Sequence, residues 1–338
     1  MRRSTLTACI LALGTSGCPD DAPPADDVPM ASGFAEEDTD PGDQGTQTNP
    51  GTGEGPSDSG EPWDGTAFQG ELRGVLTVTF TAAHPLSDGD AVGLAGGYRS
   101  EEVGWVGQED LYSPVAYQLA FPAPPDTPDT LVSAEPVPVF DWGSIDSWFT
   151  AGNGMKLRQG EGGPQLLACL VPTGNITGTY PLYRSSAAEG LAAECDPDPA
   201  SWSPSTVYDV VLYGGDLFVD NVLPERVTTP PALVVTAPDL DEFDAPLPVD
   251  QDLVITWEPG DDPEARIIIR VVDTDTNVIT VNAVDDGDFT IPAAELAALT
   301  VGPMDLVIAR ERTDRVQFTA GGLTVLGRYE RWGFFDLF

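Results

Sequence analysis

Leu253-Val254-Ile255-Thr256-Trp257 and, a turn later, Ile267-Ile268-Ile269-Arg270-Val271-Val272 decide the fold class of this 338-residue chain. Side chains alternate across an extended strand. Leu253, Ile255 and Trp257 therefore share one face, and Ile267, Ile269 and Val271 share another, with Arg270 pointing the opposite way. The same rhythm recurs at residues 233–236, 278–284, 289–291, 306–310, 316–319 and 323–329, which is the count and spacing of a β-sandwich. Asp286-Gly287 stands between two of these runs and reads as a hairpin turn, since glycine accepts the positive φ that tight hairpins require. Residues 293–299, led by Pro292, read as one short helical turn.

Toward the N-terminus, Thr228-Thr229-Pro230-Pro231 reads as a hinge. It separates the sandwich at 231–338 from a second β-rich domain at 64–230. Leu76, Val78 and Phe80 alternate there, as do Val115, Tyr117, Leu119 and Phe121. Residues 207–213 form a more continuous apolar run, as expected of a strand buried on both faces. Turn-rich stretches lie at 87–90, 122–128 and 160–164, in a chain holding 36 Gly and 32 Pro. Residues 140–195 are too irregular to divide strand by strand. The expected fold is all-β: two β-rich domains, the C-terminal one an immunoglobulin-like β-sandwich, preceded by a disordered acidic linker.

That linker is the stretch 18–63. Between Pro19 and Trp63 it carries twelve acidic residues and no basic one, with few large apolar groups, so it buries too little surface to offset its ordering entropy. As a flexible coil it would reach about 35–40 Å, and like-charge repulsion extends it. Ahead of it, residues 1–17 have the build of a signal peptide. Arg2 and Arg3 form a positive start and residues 6–13 a short apolar segment, too short for a membrane-spanning helix. Thr15-Ser16-Gly17-Cys18 then resembles a bacterial lipobox, in which the cysteine is acylated; Thr15 stands where an aliphatic residue is usual. Cys18 is the expected lipidation site, and an acyl anchor of this kind holds a protein on a bilayer at about 0.8 kcal/mol per buried methylene.

Cys9 leaves with the signal peptide and Cys18 takes the lipid, so Cys169 and Cys195 remain for a disulfide. It would close a loop of 25 intervening residues and contribute roughly 3 kcal/mol on the chain-entropy model. A metal pair or redox site is the alternative, opposed by the long spacing, the lack of a nearby histidine and the absence of Cys-x-x-Cys.

Fifty-five Asp plus Glu against 15 Lys plus Arg give a net charge of −40, which repels phosphate and argues against nucleic-acid partners. His84 is the sole histidine and Lys156 the sole lysine, which removes most general-base and cofactor-anchoring schemes. His84 precedes Pro85 in a loop and reads as solvated. No Gly-x-Ser-x-Gly or His-Glu-x-x-His is present, and no cofactor or metal site is expected. Asp273-Thr274-Asp275-Thr276-Asn277 has alternating oxygen donors, yet Val278 stands where a calcium loop needs glycine, so a hairpin turn is the reading. The acidic groups at 239–244 and 285–288 read as solvated turns. Trp105, Trp142, Trp148 and Trp202 read as core or loop-covering residues, with an exposed stacking platform as the alternative.

The run from Asp252 to Asp261, with residues 284–292, resembles the C-terminal immunoglobulin-like or fibronectin-III-like modules of myxobacterial and related bacterial lipoproteins. Residues 141–143 and 151–157 are similar to the upstream domain of such proteins. Their members often place a cysteine just before the Asp-Asp-Gly turn, where this chain has Asn282 and Ala283. The resemblance implies an exported lipoprotein of the cell envelope, at the outer membrane and facing the periplasm or the surface. Fold alone does not give function. The expectation is a non-catalytic binding or structural module whose partners are the bilayer, through its lipid, and an envelope protein or glycan. An exported hydrolase built on carboxylates is the alternative.

Overall fold

The computed structural model describes residues 72–87, 89–100, 127–136, 148–150, 152–175, 178–185, 195, 197–213, 221–241, 245–318 and 321–338. The signal peptide, Cys18, the acidic linker, Trp105, Trp142 and the run at 115–121 lie outside the described residues. Nine strands come first: β1 Leu72–Thr81, β2 Ala91–Ser100, β3 Thr130–Pro136, β4 Trp148–Phe149, β5 Gly154–Arg158, β6 Gln165–Asn175, β7 Gly178–Arg184, β8 Val207–Leu212 and β9 Asn221–Thr228. Eight follow: β10 Val235–Ala237, β11 Ala245–Leu247, β12 Leu253–Trp257, β13 Ala265–Val272, β14 Asn277–Ala283, β15 Asp288–Ile291, β16 Gly302–Phe318 and β17 Gly321–Leu337. The described part is all-β, with one short α-helix, α1, at Ala293–Leu296 and a 3-10 turn at Pro199–Ser201.

Strands β10, β12 and β15 form a three-stranded sheet in that order, facing β14-β13-β16-β17 of the large sheet. Apolar side chains of both sheets, with Leu131 and Ala134 of β3 beside them, share one core, so the two layers pack as a β-sandwich. Its core holds Ile255, Trp257, Ile269, Val281, Leu306 and Phe335, and each such side chain contributes about 2 kcal/mol on burial. The alternation in β12 and β13 is as the sequence indicates. The Asp286-Gly287 reading is corrected: β14 pairs with β13 and β3, and β15 pairs with β12, so the turn passes the chain between sheets instead of closing a hairpin. Gly287 still needs its special backbone, at φ +118°.

The runs at 306–310 and, as far as Phe318, at 316–319 belong to one 17-residue strand, β16, paired along its whole length with the equally long β17; residue 319 lies outside the described residues. This hairpin serves two cores. Along one face of β16, Met304, Leu306 and Ile308 enter the sandwich core, while Val316 and Phe318 enter a second core with Leu76, Tyr98, Leu157 and Tyr208. Around that second core the sheet continues from β17 through β1, β2, β7, β6, β5 and β8 to β9, and β9 returns to β16, where Thr228 N donates to Asp314 Oδ2 at 2.8 Å. Strand pairing therefore crosses the boundary expected at 230/231: β1 lies beside β17 and β3 beside β14. In β8, Tyr208, Val210 and Leu212 are buried in the apolar core, while on the other face Val207 is exposed, Val211 is half-buried and Asp209 is buried beside Arg158, so that face is covered in part and by a polar contact.

Candidate functional site

Between the two cores the inward face of β16 turns polar. Positions 310, 312 and 314 follow the same alternation as Leu306 and Ile308, yet carry Arg, Arg and Asp. A guanidinium taken from water needs several partners to repay its desolvation, and Arg310 has them. Its Nη2 donates to Glu258 O at 2.6 Å and to Asp285 Oδ1 at 2.9 Å, its Nη1 donates to Ala232 O, and its Nε lies 2.7 Å from Asp285 Oδ2. Trp257 Nε1 donates to Asp285 Oδ1 at 2.8 Å. A Cβ on Gly260 would come within 2.5 Å of Asp285 Oδ2, which explains the glycine.

One turn of the pleat further on, Arg312 Nη1 donates to both oxygens of Asp262, at 2.8 and 2.7 Å, and its Nε donates to Asp314 Oδ1 at 3.3 Å. Desolvation opposes the Arg312 charge, but Asp262 and Asp314 outweigh it and raise its pKa. Asp314 is pushed up by burial, only partly offset by the Thr228 N–H and by Arg312. Thr228 opens the expected hinge and Ala232 follows it, so this polar waist fastens the crossing chain to β16.

The opposite face of the same strands carries a second charge row. Arg266, Glu311 and Arg328 are register partners across β13, β16 and β17. Arg266 Nε donates to Glu311 Oε1 at 3.0 Å and Arg328 Nε donates to Oε2 at 2.6 Å. Burial pushes the Glu311 carboxyl up, but Arg328 and Arg266 overcome that and hold it at about 2. Glu330, on the same face, behaves oppositely: burial raises it, and Arg328 and Arg270 offset this only in part. Arg270 does point away from the sandwich core, but it is buried, 3% exposed.

The residues singled out in the sequence fall in separate places. Cys169 and Cys195 are joined by a disulfide with Cα atoms 5.7 Å apart, an ordinary span for such a bond. The reading of His84 as solvated is corrected. It is 5% exposed and stacks on Trp332 at 3.8 Å between ring centres. Its Nδ1 accepts from Leu86 N at 3.1 Å, which leaves Nε2 as the donor to Leu240 O at 3.0 Å. The reason is topological: β1 ends at Thr81 beside Glu330, β11 begins to pair with β17 only at Phe335, and His84 and Leu240 fill the interval.

The Asp273 carboxylate accepts from the backbone N–H groups of Asp275, Asn277 and Thr300 and from Asn277 Nδ2, at 2.8–2.9 Å. Burial raises its pKa, but these donors outweigh that and hold it below the usual range. Both of its oxygens are thus engaged in closing the β13–β14 turn. Asp285, read as part of a solvated turn, is corrected to a buried partner of Arg310 and Trp257. Trp202 is a core residue beside Phe80, with ring centres 6.1 Å apart. The sequence reading missed Arg310, Glu311, Arg312 and Asp314. The signal was present as three charged residues on the inward register of an otherwise apolar 15-residue alternation.

Among the described residues no helix is long and apolar enough to cross a membrane, and no group of three or more His, Cys, Asp or Glu is gathered to hold a metal ion. No family model matches the chain, and no curated protein does. Four solved chains show similarity, one of them a tetra-tandem repeat in the extending region of a large adhesion protein. It has 13% identity and a TM-score of 0.18, over 78% of this chain and 49% of that one. The chain spans about half the length of that structure, and so loose a superposition carries neither fold nor activity across.

Proposed function

We propose that this chain is a non-catalytic, lipid-anchored envelope protein whose folded part serves as a binding or structural module for an envelope protein or a glycan. One observation supports the non-catalytic reading: among the described residues, the histidine, the two cysteines and several of the buried carboxylates are spent on the fold. His84 uses both ring nitrogens on backbone groups, Asp273 and Glu311 use both carboxylate oxygens, Asp285 is held by Arg310 and Trp257, and Cys169 is bonded to Cys195. A general base or nucleophile must be within reach of substrate and of the proton it moves. The anchor rests on the sequence of residues 1–18 and on the uncharged, apolar segment at 6–13.

The test is expression of the natural protein and of Cys18→Ser in a Gram-negative host, followed by surface labelling, fractionation and intact-mass measurement. The proposal expects an acylated Cys18 as the first residue of a membrane-bound form, and a soluble Cys18→Ser protein. An unmodified Cys18 with unchanged fractionation would end the anchor reading. Turnover of glycan or ester substrates by the purified protein, abolished by replacing a single carboxylate, would end the non-catalytic one.

A further inference from the structure

Strands β1 and β17 are parallel and in register over ten residues, with Leu72 beside Gly321 and Thr81 beside Glu330. The chain enters β1 at Leu72 and leaves β17 at Leu337. Tension between the chain before β1 and the chain after β17 therefore draws β1 back along its axis and β17 forward along its own. In that geometry the ladder is sheared, and its hydrogen bonds share the load. Pulling two strands apart from a common end breaks the bonds one after another.

The ladder is also shielded from water. Residues 74–80 of β1 and 321–328 of β17 are all buried. On one side Leu76, Val78, Leu323 and Val325 lie in the second core, and on the other Thr77, Thr79 and Arg328 are fully covered. A buried backbone hydrogen bond that breaks leaves its groups without solvent to replace the partner, which raises the barrier to opening. The other edge of β1 is held by β2 in an antiparallel ladder of the same length, so β1 leaves only by sliding past two neighbours at once. Packing there is close: a Cβ on Gly74 would lie 2.4 Å from the Tyr98 ring, and one on Gly96 would lie 2.4 Å from Val75 O.

We infer that the β1–β17 ladder is a load-bearing joint, which gives this protein a mechanical function: it transmits tension between an N-terminal attachment and whatever grips its C-terminal sandwich. The source of the load rests on the lipid-anchor reading, but the resistance of the ladder does not.

The experiment is single-molecule pulling of the full chain carrying Cys18→Ser, in two geometries. In one, handles are attached at the two termini and shear the ladder. In the other, one handle is attached at Leu86→Cys, an exposed position just past the end of β1, and the second at the C-terminus, so that β17 is peeled from its end. Forced unfolding reports the unfolding rate under load. The expected result is an unfolding force several-fold higher in the shear geometry. An equal or lower force there overturns the inference. Because no lipid is involved, a failed anchor and a weak ladder give different results: soluble protein with a strong ladder in the first case, acylated protein that yields at low force in the second.

Discussion

Arg328 Nε donates to Glu311 Oε2 at 2.6 Å, and both side chains are sealed from solvent, with 1% and 0% exposure. An ion pair so enclosed is costly to break from one side, because the remaining charge keeps its burial and loses its partner. Glu311→Leu should destabilise the protein by about 3–5 kcal/mol in urea unfolding, and Glu311→Leu with Arg328→Leu should recover part of that loss. A single variant within 1 kcal/mol of the natural protein would contradict the arrangement.

Glu311 also sets an acid limit. Its pKa is lowered in the fold, from 4.5 to about 2, so its contribution is complete above the unfolded value and is lost as pH falls from about 4.5 through 2. Stability curves at pH 6, 4 and 2.5 should converge for the natural protein and Glu311→Gln toward the acid end.

Glu330 has the opposite sign. Its raised pKa means that the fold favours the protonated carboxyl, so a penalty sets in as pH rises above the unfolded value of 4.5 and grows up to the folded pKa. Glu330→Gln should therefore be more stable than the natural protein at pH 7–8, with the advantage gone near pH 4. Thermal unfolding across that range checks it, and a gain that is independent of pH would argue against ionisation as its cause.

Gly260→Ala tests the polar waist through one methyl group. The added Cβ would sit 2.5 Å from Asp285 Oδ2 and 3.2 Å from the Arg310 guanidinium. A loss of about 1–3 kcal/mol is expected, as for other overpacked sites. Gly160→Ala, with a φ of +64° but open space around it, should cost less and only through its backbone.

His84→Phe and His84→Ala separate the two roles of the histidine. Phenylalanine keeps the stack on Trp332 and loses the bonds to Leu240 O and from Leu86 N, at a cost of about 1–3 kcal/mol. Alanine forfeits both and should cost more. Equal unfolding midpoints for the two variants would mean that the ring contact contributes nothing.

The apolar alternation of Leu253, Ile255 and Trp257, and of Leu76, Val78 and Phe80, was legible because each strand has one face against an apolar core, and a two-residue period records that directly. The second face was not legible. Arg270 reads only as pointing away from the core face, and the pattern assigns Glu311 and Arg328 no role, because period alone cannot tell water from a buried partner contributed by a distant strand. Asp286-Gly287 gave the right backbone at the wrong junction: a positive φ is a local property, whereas the sheet that each flanking strand joins depends on the whole topology. The polar waist was hidden for a related reason. Arg310, Arg312 and Asp314 look like the end of one strand and the loop before the next, when they are the middle of a single strand passing between two cores. His84 was misread because the gap it fills is bounded by Glu330 and Phe335, far along the chain.

The shared β16–β17 hairpin restricts how such a chain can be inherited. A gene fragment covering residues 231–338 would export a strand pair whose far half, Val316, Phe318, Leu323 and Val325, was shaped to sit against partners encoded upstream. A fragment ending at 230 would lack the wall that those four residues provide. Duplication or transfer of either half alone would yield a sticky remnant, so the region from Leu72 to Leu337 should move between genomes as one cassette.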